Sequence, residues 1–149
     1  MSAEPGTYAP DMACFTLASH ARPHRDRPAI LLVEDEKFSR ALMTTILSDN
    51  FEVHTAHNGM EALQLYEHLA PDVVFLDIDM PLLDGLTVLS YISSFDNECF
   101  IVMLTASDSE NDKEAAATCG AKGYITKPFS RALIDNYLEQ FRTQRLIAN

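Results

Sequence analysis

A buried strand that ends in an acid constrains this chain more than any other feature. In Val73-Val74-Phe75-Leu76-Asp77-Ile78-Asp79-Met80-Pro81 an apolar run leads into a carboxylate, and a proline soon stops it. A run this short and this rich in Val and Phe predicts a strand buried on both faces. A charge at its end is costly unless a metal ion, a cation or a hydrogen-bond donor compensates it. The remaining sequence therefore has to supply such partners.

Read in order, it does. Ala29-Ile30-Leu31-Leu32-Val33 is a first apolar strand, stopped by Glu34-Asp35-Glu36. Phe38, Ala41, Leu42, Thr45 and Ile46 then fall on one helical face, which is expected to be the buried one. Phe51-Glu52-Val53-His54-Thr55-Ala56 alternates, as a half-exposed edge strand does, and His57-Asn58-Gly59 reads as a turn. Ala62, Leu65, Tyr66 and Leu69 repeat at helical spacing before Pro71. After Asp77, Asp84-Gly85 reads simply as a turn, and a short helix is expected at about residues 87–94. Phe100-Ile101-Val102-Met103-Leu104 is a further buried strand, ending at Thr105. An Ala-rich helix with few large apolar residues follows and stops at Gly120. Gly123-Tyr124-Ile125-Thr126 is a last short strand ending at Lys127-Pro128, and Ile134, Tyr137, Leu138 and Phe141 form one face of a closing helix.

Five alternations of strand and helix predict a parallel sheet covered on both sides. Crossovers are right-handed, and an edge position for the alternating second strand favours the order 2-1-3-4-5. In such a sheet, sites form beyond the carboxyl ends of the strands, where the order switches. Glu34, Asp35 and Asp77 are thereby expected to crowd together, and three carboxylates repel one another unless a cation enters. An all-oxygen set suits Mg²⁺. Thr105 and Lys127 face the same rim. A hydroxyl, an ammonium and a metal around one carboxylate meet the needs of phosphoryl transfer, with Asp77 as nucleophile. Taken singly each residue has a plainer role: an N-terminal cap for Glu34-Asp35, a turn acid for Asp77, a capping hydroxyl for Thr105, a surface lysine for Lys127. Their recurrence at the same end of successive strands argues for the joint reading.

Composition narrows the setting. The 149 residues suit one domain with a real core. The net charge of −11 lies in the body after Arg27, because acids and bases balance up to and including that residue. An acidic body repels phosphate backbones, so no direct nucleic-acid binding is expected. No run approaches a membrane span, and the weakly apolar residues 12–18 lack the basic flank of a secretory signal. Three scattered cysteines, Cys14, Cys99 and Cys119, fit a reducing cytoplasmic location. Residues 1–28, punctuated by Pro and Gly, read as an N-terminal extension, and 29–146 as the domain. His20 and His24, four apart, read as solvated polar residues for want of a third ligand.

The chain also resembles a known family. Leu32-Val33-Glu34-Asp35, Phe75 through Gly85, Leu104-Thr105-Ala106 and Gly120 through Phe129 are similar, as an ordered set, to the motifs of two-component response regulator receiver domains. The resemblance implies a flavodoxin-like (βα)5 fold, with Asp77 phosphorylated by a sensor histidine kinase or a histidine phosphotransfer protein. It implies Mg²⁺ on Asp35, Asp77 and the main-chain carbonyl of Asp79, with Glu34 acting largely through water. Thr105 and Lys127, with main-chain N–H groups near Asp79 and Ala106, would hold the phosphoryl oxygens, and Lys127-Pro128 would be cis. Thr105 and Tyr124 would form the switch that alters the face of the fourth helix, fifth strand and fifth helix. A downstream protein target and a monomer or weak dimer follow from the same resemblance. The implied activity is self-catalysed phosphotransfer and autodephosphorylation, not enzymatic turnover. An extra acid at Asp79, together with Ser107, borders the expected route of the attacking water, so the dephosphorylation rate does not carry over. Either a stand-alone receiver or part of a longer regulator fits.

Three other readings compete. Asp77-Ile78-Asp79 matches the Asp-x-Asp start of haloacid-dehalogenase-like phosphatases. That family places the motif on an early strand and needs an acidic pair after its lysine, and it would leave Glu34-Asp35 idle. A non-phosphorylated interaction module needs none of Glu34, Asp35, Asp77, Thr105 and Lys127. A flavin site is weaker still, because Glu34-Asp35-Glu36 repels phosphate and offers no Gly or Ser donors.

Overall fold

The structure is a computed structural model, and residues 25–148 are those it describes. Most of the expected extension, including Cys14, His20 and His24, lies outside the described residues. Five strands alternate with five helices: β1 Ala29–Val33, α1 Lys37–Leu47, β2 Glu52–Ala56, α2 Gly59–Leu69, β3 Val73–Leu76, α3 Gly85–Phe95, β4 Phe100–Thr105, α4 Glu110–Thr118, β5 Gly123–Thr126 and α5 Arg131–Ala148. All strand pairs are parallel, and the order is β2-β1-β3-β4-β5. This is the flavodoxin-like (βα)5 arrangement expected from the alternation.

Strand periodicity divides the core in two. Leu31, Val33, Val74, Leu76, Ile101 and Met103 pack with Leu63, Tyr66, Leu89 and Ile92, so α2 and α3 cover one face. The alternate residues Ile30, Leu32, Val73, Phe75, Val102 and Leu104 meet Met43, Leu47, Ile134, Leu138 and Phe141 of α1 and α5 on the other. A pleated strand sends successive side chains to opposite faces, so strands covered on both sides must be apolar throughout. The central strands β1, β3 and β4 are buried at every position, whereas β2 starts exposed, as an edge strand does.

Three local expectations change. First, α1 buries Met43 and Leu47, with Ile46 packed beside them, while Phe38 is 83% and Leu42 54% exposed. Apolar residues surround more than half of this helix, so periodicity alone could not choose between two faces. Second, Asn58 is not a turn residue but the N-cap of α2, accepting from Glu61 N at 2.9 Å. Glu61 reaches back to accept from His57 N at 2.7 Å, a close relative of the reciprocal capping box. Third, α3 begins two residues before the expected Thr87, capped by Asp84.

The opposite end of the sheet is closed by arginines. Arg25 pairs with Asp72 at 3.1 Å and donates to the carbonyls of Leu69 and Ala70. Arg27 donates to the carbonyls of Ser48 and Phe51. Several of these carbonyls end α1 and α2, where no helical partner remains.

The corrected α1 face makes a measurable distinction. Met43→Ala is expected to cost about 2–5 kcal/mol in urea unfolding, and Phe38→Ala less than about 0.5 kcal/mol, as for a surface change. Equal losses would restore the face read from periodicity.

Candidate functional site

The register carries the ends of β1 and β3 out together. Val33 pairs with Leu76, and Asp77 N donates to Val33 O at 3.1 Å. Glu34 and Asp77 leave adjacent strands at one level, and Asp35 follows. Ligand oxygens of Glu34, Asp35 and Asp77 all lie within 4.8 Å of one another. Glu34 and Asp77 are buried, whereas Asp35 is exposed. Across the sheet, Lys127 N donates to Thr105 O at 2.8 Å, which starts the lysine on the same rim. Its ammonium contacts Glu34 Oε1 and lies 3.3 Å from Asp77 Oδ2.

One ammonium among three carboxylates leaves the cluster short of positive charge. Burial drives the Glu34 carboxyl above the ordinary carboxylate range, and the Asp77 charge adds to this. Close contact with the Lys127 ammonium and the hydrogen bond from Glu36 N–H oppose the rise without cancelling it. For Lys127 burial is the largest single influence and favours the neutral form. Close contact with the Glu34 carboxylate and the charge of Asp77 together outweigh it, so the lysine titrates above its ordinary value. Glu34 Oε1 is buried and lacks a well-aligned hydrogen bond, so its contact with Lys127 is chiefly electrostatic. An all-oxygen donor set with an underused buried oxygen fits a hard divalent cation.

The other expected site residues divide. Thr105 is buried, and its Oγ1 accepts from Ser107 N at 3.3 Å. Tyr124 donates its hydroxyl to Ser107 O at 2.7 Å. Asp79 is exposed and its carboxylate is not part of the acidic group. Its N–H donates to Asp77 Oδ1 at 3.2 Å. The Lys127-Pro128 bond is cis.

Two supporting residues escaped the sequence reading. Gly85 is more than a turn glycine: a Cβ there would lie 1.9 Å from Asp77 O, and its N–H donates to Ile78 O at 2.8 Å. The loop after β3 folds back on the backbone of Asp77, and only a residue without a side chain permits that approach. Arg40 donates to Glu34 O at 2.9 Å and to Asp35 O at 3.3 Å, tying α1 to the main chain of the acidic loop. The helix cap, the plainer role weighed for Glu34-Asp35, belongs to Glu36, which accepts from Phe38 N and Ser39 N. Beside the acids, Phe38, Ser39, Leu42, Lys127, Pro128 and Phe129 line a shallow groove.

Comparison with known proteins bears on the same residues. Residues 30–139 match the family described as response regulator receiver domain. The chain is 43% identical to the chemotaxis protein CheY of Halobacterium salinarum over 103 residues, 68% of this chain and 86% of that one. It is 38% identical to the regulatory protein AtoC of Escherichia coli over 101 residues, 67% of this chain but 22% of that longer protein. Among solved structures, the N-terminal domain of an uncharacterised protein of Wolinella succinogenes superposes with a TM-score of 0.76 at 32% identity, covering 82% of this chain and 99% of that one. Vibrio cholerae chemotaxis protein CheY4 gives a TM-score of 0.72 at 29% identity, over 77% of this chain and 98% of the other. Together with the acidic rim and its lysine, these matches establish that the chain belongs to the response regulator receiver domain family.

Proposed function

We propose that Asp77 accepts a phosphoryl group from a phosphohistidine of a sensor histidine kinase or histidine phosphotransfer protein. The observation that carries this reading is the position of the Asp77 carboxylate, at the rim between two further acids and the Lys127 ammonium. In the transfer an Asp77 carboxylate oxygen forms a bond to phosphorus as the donor's P–N bond breaks. The imidazole leaves with the electron pair of that bond, and the product is an acyl phosphate. Lys127 offsets charge on the phosphoryl oxygens, and Thr105 with the main-chain N–H groups of Asp79 and Ala106 donates to them. Asp35, Asp77 and the Asp79 carbonyl, with Glu34 beside them, would hold Mg²⁺, which would supply the charge neutralisation that one ammonium lacks. Receiver domains perform this phosphotransfer, and the later hydrolysis of the acyl phosphate to inorganic phosphate, on themselves and not as turnover of a phosphomonoester, which disfavours the phosphatase reading.

The groove of Phe38, Leu42, Pro128 and Phe129 supplies exposed apolar surface at the rim, suited to a phosphodonor with an apolar face beside its histidine. Thr105 and Tyr124 carry the switch to the face of α4, β5 and α5, where a downstream protein target docks. We further assign 29–146 to the receiver and the residues before it to an extension. A cytoplasmic location and a monomer or weak dimer complete the proposal. Among the described residues no helix is long and apolar enough to cross a membrane.

Incubated with acetyl phosphate and Mg²⁺, the chain is expected to gain hydroxylamine-labile phosphate, and Asp77→Asn to gain none. Equal labelling of that variant defeats the assignment. Neutralising an acid without a lysine partner should relieve repulsion: in chelator, Asp35→Asn is expected to raise Tm by about 3–5 °C, the shift for about 1 kcal/mol in a domain this size. A fall in Tm would show that the acids are already balanced without a metal.

A further inference from the structure

Helix α4 is poorly anchored by apolar packing, since Ala116 is its one buried residue. The loop from β4 into α4 must therefore be fixed by polar contacts, and these converge on Ser107. Its N–H donates to Thr105 Oγ1 at 3.3 Å. Its carbonyl accepts from the Tyr124 hydroxyl at 2.7 Å. Its own hydroxyl donates to Asp112 Oδ2 at 2.5 Å.

Asp112 is the third residue of α4, after the N-cap Ser109. In a capping box an acid there turns back to the N–H of the cap residue. Here it reaches two residues further, to Ser107, and the Ser107 hydroxyl accepts from the Ser109 N–H at 3.4 Å in its stead. Ser109 Oγ still accepts from Asp112 N at 3.3 Å. The diverted carboxylate fastens the first turn of α4 to the one loop residue that touches both Thr105 and Tyr124. The next residue, Lys113, holds its ammonium 6.0 Å from the centre of the Tyr124 ring, at the limit of a cation–π contact.

We propose that Asp112 is a positioning residue for the switch: through Ser107 it holds in place the carbonyl on which the Tyr124 hydroxyl rests, and so sets the resting balance between inward and outward ring positions. The proposal rests on the reading of Thr105 and Tyr124 as the switch pair. An acceptor at residue 112 is required, and an amide oxygen serves as well as a carboxylate oxygen because the Ser107 hydroxyl is the donor.

The test uses the full chain labelled with 3-fluorotyrosine and read by fluorine NMR, with the Tyr124 signal identified by its absence in Tyr124→Phe. Asp112→Ala is expected to move the resting Tyr124 signal away from the wild-type position, through about a tenfold shift of the ring equilibrium, the size of one ordinary hydrogen bond. Signals of the other tyrosines should stay in place, which excludes a general loss of fold. Asp112→Asn should retain the wild-type signal, and Ser107→Ala should reproduce the Asp112→Ala shift. A Tyr124 signal unmoved by Asp112→Ala, or moved equally by Asp112→Asn, overturns the proposal. Adding Mg²⁺ and beryllofluoride to the same samples tests the underlying reading separately. If the wild type fails to respond, the phosphoacceptor assignment falls while the resting comparison still decides the role of Asp112.

Discussion

Repulsion among three carboxylates at one edge of the sheet is the constraint on which the rest of the structure depends. Two of the three are buried, and a single ammonium sits against them. No folded chain holds such a cluster by local preference, because like charges in a low-dielectric rim oppose folding. It persists because the central strands that carry it are buried at every position. The apolar sheet supplies the stability from which the rim draws. A rim crowded with like charges would be linked by mass action to any cation that binds it.

The rim connects to the far side of the domain through the backbone. Lys127 and Thr105 belong to paired strand ends, so the groups expected to meet a phosphoryl oxygen are fixed relative to each other by a hydrogen bond of the sheet. Beyond Thr105 the anchoring changes character. Ser107 and Asp112 are joined to Tyr124 by hydrogen bonds, at the start of a helix with little apolar packing. A rigid rim thus adjoins a polar helix with little apolar packing, the kind of element that opens locally at low cost.

Much of this was legible in the sequence, and the reason differs by element. Period-two burial and unbroken apolar runs identified β1, β3 and β4, because burial on both faces leaves no other pattern. Strand order followed from the alternation in β2. The acidic group and Lys127 followed from the rule that parallel strands all end at one rim. Elsewhere the sequence underdetermined the fold. In α1, apolar residues on both sides left the buried face open, and the sheet chose Met43 over Phe38. Asn58 read as a turn because its capping partner, Glu61, lies three residues on. Gly85 read as a mere turn because its role depends on a carbonyl eight residues back in the chain. Arg40 and Asp112 act through contacts that no spacing rule announces.

The central claim is that the acids are gathered to receive a divalent ion, and calorimetric titration of Mg²⁺ into the chelator-treated chain tests it most directly. The account predicts one ion bound per chain, with the heat lost in Asp77→Asn. Absence of binding, or binding that survives that substitution unchanged, would contradict it.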